Sequence, residues 1–139
     1  MRASSPACSK AVPSPKALLY ASTNGRADVI NMSLCAEFNR NEQGAAELIA
    51  AFNRAVTFAT RNGSLVVVAA GNSGLDLDAE KNLIVTAAES GNAIAISATA
   101  PLAWAYGATN FSRFSSYSNF GNALVTVAAP GGRFRVPRQ

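Results

Sequence analysis

Two buried strands separated by one amphipathic helix constrain the fold of this chain more than any other feature. The stretches ADVINMSL at 27–34 and LVVVAA at 65–70 are short, apolar and rich in β-branched residues, which is typical of strands buried on both faces. Between them, apolar residues recur at every third or fourth position over 42–60 and predict a helix with one apolar face. A strand, a helix and a second strand in this order form a βαβ unit, so we expect the two strands to lie parallel.

Shorter apolar runs and turn residues complete the predicted order of elements. A helix over 17–22 is followed by Asn24 and Gly25, a pair that favours a left-handed helix end. The aromatic and polar stretch 101–120 is typical of a surface loop. Further strands are predicted at 83–86, 94–97 and 124–128. Together these elements predict an α/β fold with a layered, mostly parallel sheet.

The net charge of +4 is concentrated at the two ends of the chain. Six of the twelve basic residues lie in an irregular leader, 1–16, and a basic tail, 133–139, neither of which contains an acidic residue. The main domain, 17–132, is left with six basic and eight acidic residues. A nucleic-acid surface needs basic side chains clustered on a folded face, so this distribution argues against nucleic-acid binding. No apolar run approaches the roughly 18 residues of a membrane helix, and the leader lacks the apolar region of a secretory signal, so no membrane contact is predicted.

The rarest residue types limit the chemistry that the chain can perform. It contains no histidine, so it supplies neither a histidine general base nor a histidine metal ligand. Its two cysteines, Cys8 and Cys35, do not have the spacing of a zinc or redox motif, and they fit either two free thiols or one disulfide. Three acidic residues alternate over 76–80, as in a calcium loop, but the glycine and the final glutamate of that loop are missing. A solvated acidic turn is the simpler interpretation.

Polar and glycine-rich segments follow three of the predicted strands. They are Ser33-Leu34-Cys35, the turn at 71–74 and the segment at 129–132. In open parallel sheets, ligands and reactions gather beyond the carboxyl ends of the strands, so these segments predict a site. From the residues alone, Asn72 fits either a turn residue or a residue that acts in the site. An anion held by this turn is a weaker interpretation, because no helix clearly begins there.

Five motifs in a fixed order resemble the catalytic domain of the subtilisin-like serine peptidases, the subtilase family (peptidase S8). They are ADVINMSL, VVVAAGNSG, AIAISATA, FSSYSNFG and VAAPGG, and the resemblance covers 17–132. It implies a three-layer α/β fold and the cleavage of extended peptides through an acyl-enzyme. It also implies an extracellular protein with a peptide or protein substrate and no cofactor, although calcium is possible in full-length members.

The resemblance assigns roles to the residues at the strand ends. Asn72 matches the family's oxyanion-hole asparagine, whose side-chain amide meets the negative charge that forms on the scissile carbonyl oxygen. The other matched residues hold an extended peptide as an added strand and line the pocket for one of its side chains; they are Ser33, Leu34, Cys35, Ala69, Ala70 and Gly71. Family members usually have glycine where Cys35 stands. A side chain there either intrudes on the cleft or is accommodated by a shifted backbone.

The resemblance also implies that much of the catalytic machinery lies outside the matched segments. The Asp, His-Gly-Thr and Gly-Thr-Ser-Met-Ala segments of the family's catalytic triad have no match in the 139 residues. We therefore predict an internal fragment of the domain that is inactive alone and lacks the N-terminal strands and the nucleophile helix. Its sheet would leave apolar faces uncovered on both sides. The alternative is a catalytically inactive, subtilase-like module that still binds extended peptides.

Overall fold

A four-stranded parallel sheet forms the centre of the fold in the computed structural model, which describes residues 14–34, 36–100 and 113–132. The elements in chain order are α1 (Pro15–Thr23), β1 (Val29–Met32), β2 (Glu37–Asn39), α2 (Ala45–Arg61), β3 (Leu65–Ala69), β4 (Leu83–Val85), a 3₁₀ turn (Ala88–Ser90), β5 (Ile94–Thr99) and β6 (Val127–Pro130). The sheet has the order β1-β3-β5-β6, and every neighbouring pair is parallel. β2 and β4 form a separate antiparallel pair. The predicted α/β class is confirmed.

The β1–α2–β3 unit has the predicted parallel arrangement. Its register runs from the pair Val29 and Leu65 to the pair Met32 and Val68. The apolar face of α2 packs on this sheet, where Phe52 is fully buried in the hydrophobic core cluster. α1 packs beside α2 on the same face. Within the described residues, neither helix has the length and apolar composition needed to cross a membrane.

The bounds of α2 follow from the glycines on either side of it. Gly44 has a left-handed conformation (φ 83°), so the helix begins at Ala45 and not at the predicted residue 42. The helix ends at Arg61, and Gly63 (φ 92°) turns the chain toward β3. The predicted end of the helix at the Asn-Gly pair is therefore confirmed.

One face of the sheet is open, which corrects the prediction that β1 is buried on both faces. Val29 of β1 is 59% exposed, and Leu65 and Val127 are 46% and 48% exposed. β1 lies at one edge of the described sheet, and α1 and α2 cover only the opposite face. The prediction of uncovered apolar surface on both sides is thus correct for one face, whereas on the other face the helices pack against β1 and β3 and the residues of β6 are exposed.

The first helix is longer than predicted and ends differently. It begins at Pro15, within the predicted leader, after Ser14, whose hydroxyl accepts a hydrogen bond from the Lys16 N–H (3.3 Å). The rest of that leader lies outside the described residues. The left-handed end predicted at Asn24 and Gly25 is wrong: Asn24 keeps right-handed helical angles, and Arg26 is the residue with a positive φ (47°).

The last strand begins later in the chain than predicted, because Asp78 holds the residues before the strand in a turn. β6 begins three residues later than the predicted strand at 124–128. The Asp78 carboxylate accepts hydrogen bonds from the backbone N–H groups of Asn122 (2.7 Å) and Ala123 (3.0 Å), which keeps these residues in a turn. The bonds from Ala123 and Asn122 favour the charged form and lower the pKa of Asp78.

Replacing Phe52 with alanine tests the core between α2 and the sheet. Phe52→Ala removes a fully buried ring and leaves a cavity, so we expect the free energy of unfolding to fall by about 3–5 kcal/mol. Phe58→Ala on the same helix is the matched control, because Phe58 is 43% exposed, and it should cost less than about 1 kcal/mol. Urea unfolding followed by circular dichroism measures both changes. Equal losses in the two variants would contradict this assignment of the core.

The Asp78 carboxylate should make part of the stability depend on pH. Because its pKa is lowered on folding, its contribution is complete above the ordinary value of 3.8 and is lost as the pH falls through the folded value. We expect Asp78→Asn to remove this acid-dependent part of the thermal midpoint measured from about pH 5 to pH 2. Glu80→Gln removes the same charge two residues along the chain and serves as the control. An acid dependence in Asp78→Asn equal to that of the unchanged chain would refute the role of this carboxylate.

Candidate functional site

An open groove of about 430 Å³ lies over the uncovered face and the carboxyl ends of the parallel strands. All three strand-end segments contribute to its lining, through Ser33, through Gly71 and Asn72, and through the segment 129–131. The topology explains this convergence, because parallel strands end at the same edge of a sheet. The fold therefore brings together the segments in which the sequence predicts a site, and the roles of their residues stay predictions.

The five described residues among those assigned to substrate binding separate into two groups. Ser33, Ala69 and Gly71 line the groove. Leu34 is 49% exposed and stands outside this lining. Ala70 is buried (1% exposed) and also stands outside this lining.

Asn72 stands in the turn that follows β3. The backbone stays in register with β5 as far as Ala70, whose N–H donates to the Ile96 carbonyl (2.9 Å). Gly71 then turns the chain with a φ of 107°, and Asn72 follows, exposed, in the groove lining. Asn72 can therefore act in the site although it stands in a turn, because Gly71 has the positive φ that turns the chain. A carboxamide N–H in this position can donate to a negatively charged oxygen in the groove.

A buried asparagine that sequence reasoning missed holds this turn in place. Asn119 is fully buried (0% exposed). Its Nδ2 donates to the Ala70 carbonyl (3.0 Å), and its Oδ1 accepts from the backbone N–H groups of Ser73 (3.0 Å) and Leu75 (3.1 Å). These bonds lie on both sides of Asn72.

Glu37 of β2 completes the hydrogen bonding of Asn119. The Oε1 atom of Glu37 accepts from Asn119 Nδ2 (2.9 Å), and its Oε2 atom accepts from the Ser73 hydroxyl (2.7 Å). Both N–H groups and both lone-pair sites of the Asn119 amide are thereby used. Because a carboxylate can only accept, the NH₂ end of this amide must face Glu37 and its oxygen must face the turn.

Close packing against Asn119 explains why position 71 is a glycine. A Cβ atom on Gly71 would overlap Nδ2 of Asn119 and would lie 2.8 Å from Oε1 of Glu37. The positive φ would add backbone strain for any L side chain. The Gly71 carbonyl also accepts from the Asn119 backbone N–H (3.0 Å), so backbone and side chain of Asn119 hold the same turn.

The predicted loop over 101–120 is confirmed for its described part, 113–120, which forms no helix or extended strand, but the predicted surface position is wrong for several of its residues. This part runs beside β5, where the Ser115 N–H donates to the Ala98 carbonyl (2.8 Å). Three of its polar residues are almost completely buried, Asn119 among them. Hydrophobic periodicity cannot find such a segment, because its buried residues are polar. The signal in the sequence is the motif FSSYSNFG, whose Ser-Asn-Phe-Gly end contains the buried Asn119.

The same segment also holds the opposite wall of the groove. The Tyr117 hydroxyl donates to the Gly131 carbonyl (2.8 Å), and the Ser115 hydroxyl donates to the Gly132 carbonyl (2.7 Å). Residues 115–119 therefore connect the turn after β3 to the segment after β6.

The acidic turn binds backbone groups. Asp76 Oδ1 accepts from the Asp78 N–H (3.0 Å), and Asp78 binds the turn before β6 as described above. Over 14–34, 36–100 and 113–132, no group of three or more histidine, cysteine, aspartate or glutamate side chains could hold a metal ion. Cys8 and Cys35 lie outside the described residues, and so does the prediction about their pairing.

Comparisons with known proteins agree with this architecture. The family model of the subtilases matches residues 5–138. The epidermin leader peptide processing serine protease EpiP from Staphylococcus aureus is 26% identical (TM-score 0.68), with 86% of this chain and 30% of that chain covered. The nisin leader peptidase NisP from Lactococcus lactis is 22% identical (TM-score 0.67; 84% and 35% covered). A cold adapted subtilisin-like serine proteinase is 25% identical (TM-score 0.56; 84% and 34% covered).

These matches cover different shares of the chains that are compared. No curated protein sequence matches the chain significantly. The chain spans about a third of the length of the three structures, from 30% to 35%. The family model, in contrast, covers nearly all of the 139 residues. This chain belongs to the subtilase family.

Proposed function

We propose that this chain carries the oxyanion-stabilising and substrate-binding part of a serine endopeptidase of the subtilase family. The observation that supports this most is the position of Asn72, exposed in the groove immediately after the turn at Gly71. In acyl transfer, the scissile carbonyl oxygen becomes negatively charged, and a fixed N–H donor stabilises that charge. In subtilisin, loss of the oxyanion asparagine lowers kcat by about 10²–10³-fold, which is the scale of effect that such a donor has.

The substrate class that we propose is a peptide in an extended conformation. Ser33 and Leu34 are exposed and continue β1, the strand at one edge of the described sheet. An extended peptide can pair with such an edge through its backbone. Ala69 and Gly71 form the facing part of the groove. EpiP and NisP are named for leader peptides, which supports a peptide substrate, and an extracellular location is part of the same proposal.

We propose that this chain alone does not hydrolyse peptides. Its 139 residues contain no histidine, and the subtilase mechanism uses a histidine to take the proton of the serine nucleophile. Asp28 precedes β1 and so lies at the amino end of that strand, away from the groove at the carboxyl ends. An oxyanion donor without this base and nucleophile has no charge to stabilise.

A fluorophosphonate probe tests the proposed lack of independent activity. The probe reacts with serine hydroxyls that a neighbouring base activates, so we expect no more label on the folded chain than on the heat-denatured chain. A chromogenic peptide substrate should likewise give no hydrolysis above buffer. Mass spectrometry locates any label, and a serine of the groove labelled only in the folded chain would contradict this part of the proposal.

Binding of a capped, extended tetrapeptide tests the proposed substrate site. In a ¹⁵N nuclear magnetic resonance titration, we expect shift changes at the amides of Ser33, Leu34, Gly71 and Asn72, because the peptide backbone pairs beside β1. The control peptide has the same side chains and an N-methylated central residue, which removes one backbone donor. It should give much smaller shifts. Equal shifts with both peptides would show that backbone pairing is not the mode of binding.

A further inference from the structure

We infer that Asn119 is the positioning residue for the oxyanion donor Asn72, an inference that rests on the proposed function. Asn119 makes four hydrogen bonds with the backbone of 70–75, two through Oδ1, one through Nδ2 and one through its own N–H. Their partners lie before and after Asn72, and none is Asn72 itself. The side chain of Asn72 is thus left to the groove while its backbone neighbours are fixed.

The turn needs such support because glycines stand on both sides of Asn72 and Ser73. Gly71 and Gly74 have φ values of 107° and 67°, and glycine retains many alternative conformations that must be given up. An oxyanion donor is effective only when it is held in place before the charge develops. In this turn the fixing comes from polar contacts, since the exposed residues 72–74 have no apolar side chains to bury.

Glu37 gives the Asn119 amide one orientation. The carboxylate of Glu37 and the Ala70 carbonyl are both acceptors at Nδ2, and the N–H groups of Ser73 and Leu75 are both donors at Oδ1. Rotating the amide by half a turn would place acceptor against acceptor and donor against donor at all four contacts. Among the described residues, Glu37 is also the titratable side chain that contacts this amide.

Asn119→Asp tests the inference with almost no change of shape. The variant keeps acceptors for Ser73 and Leu75 but places a second carboxylate against Glu37 and against the Ala70 carbonyl. At pH 7 we expect hydrogen exchange at the Ser73 and Leu75 amides to rise at least about tenfold over the unchanged chain, with a shift of the Asn72 side-chain NH₂ signal. Lowering the pH should let one carboxyl of the pair gain a proton and donate again, because two carboxylates in contact disfavour the doubly charged form, so the exchange ratio to the unchanged chain at the same pH should then return toward one.

Three further variants separate positioning from general stability. Glu37→Gln combined with Asn119→Asp places an amide donor opposite the new carboxylate but leaves the Ala70 carbonyl without its donor, so it should lower the exchange ratio at pH 7 only part of the way from that of Asn119→Asp toward one. Asn122→Asp introduces the same charge on an exposed residue and should leave the Asn72 signal unchanged. Ile84→Val trims a fully buried core residue and should lower the thermal midpoint without shifting that signal.

Defined results would overturn the inference. They are an unchanged Asn72 signal and unchanged exchange in Asn119→Asp, or exchange that rises evenly over all core amides as in Ile84→Val. If Asn119→Asp does not fold, Glu37→Ala removes one acceptor of the amide and must shift the same signals by a smaller amount. These measurements need no catalysis. The expected exchange and signal changes can be absent while the peptide titration shows binding, and they can be present while the titration shows none. The two proposals are therefore tested separately.

Discussion

The fold depends on the burial of one apolar face of α2 against the sheet. Phe52 and Val56 of α2 share one buried cluster with Val66 and Val68 of β3, and side chains of this size contribute about 1.5–3 kcal/mol each when fully buried. A helix packed in this way between two strands makes those strands parallel, and β5 and β6 continue the order on the other side of β3. The carboxyl ends of all four strands then meet at one edge. The groove is therefore a consequence of hydrophobic packing on the opposite face of the sheet.

A polar network determines the finer geometry that hydrophobic packing leaves open. The turn at 71–74 is short, glycine-rich and mostly exposed, so burial of apolar area cannot select its conformation. Asn119 is buried and completely hydrogen-bonded, and leaving one of its polar atoms unpaired would cost about 1–3 kcal/mol. That cost applies to an arrangement of the turn that breaks one of these bonds without replacing it. Hydrogen bonds of modest net strength can thus hold a single conformation, because the alternatives leave buried groups unsatisfied.

The difference between these two levels explains what could be predicted from the sequence. The βαβ unit was predictable because its signals, the apolar runs and the helical period, lie within stretches of fewer than twenty residues. The position of β6 was not, since it depends on Asp78, which binds the N–H of a residue 44 positions away. Asn119 contacts Glu37 across 82 positions, and no local pattern marks a polar residue as buried. Asn72 could be singled out because it lies in the motif VVVAAGNSG, which resembles a family motif. The exposure of one face of β1 could not be predicted in this way, because it depends on what packs against the sheet.

The open face of the sheet connects stability with chemistry, because it is also the floor of the groove. Val67, Ala69 and Ile96 line that floor. Each Å² of apolar surface that stays exposed to water loses about 25 cal/mol of the stabilisation that burial would provide. The same water weakens any hydrogen bond from Asn72 to a charged oxygen, because a charge interaction is about four times stronger at an effective dielectric constant near 20 than in bulk water. A polypeptide segment packed over this face would bury the apolar floor, and it would also exclude water from Asn72, the proposed oxyanion donor. The surface that costs the sheet stability when it is open is therefore also the surface through which water reaches the proposed site.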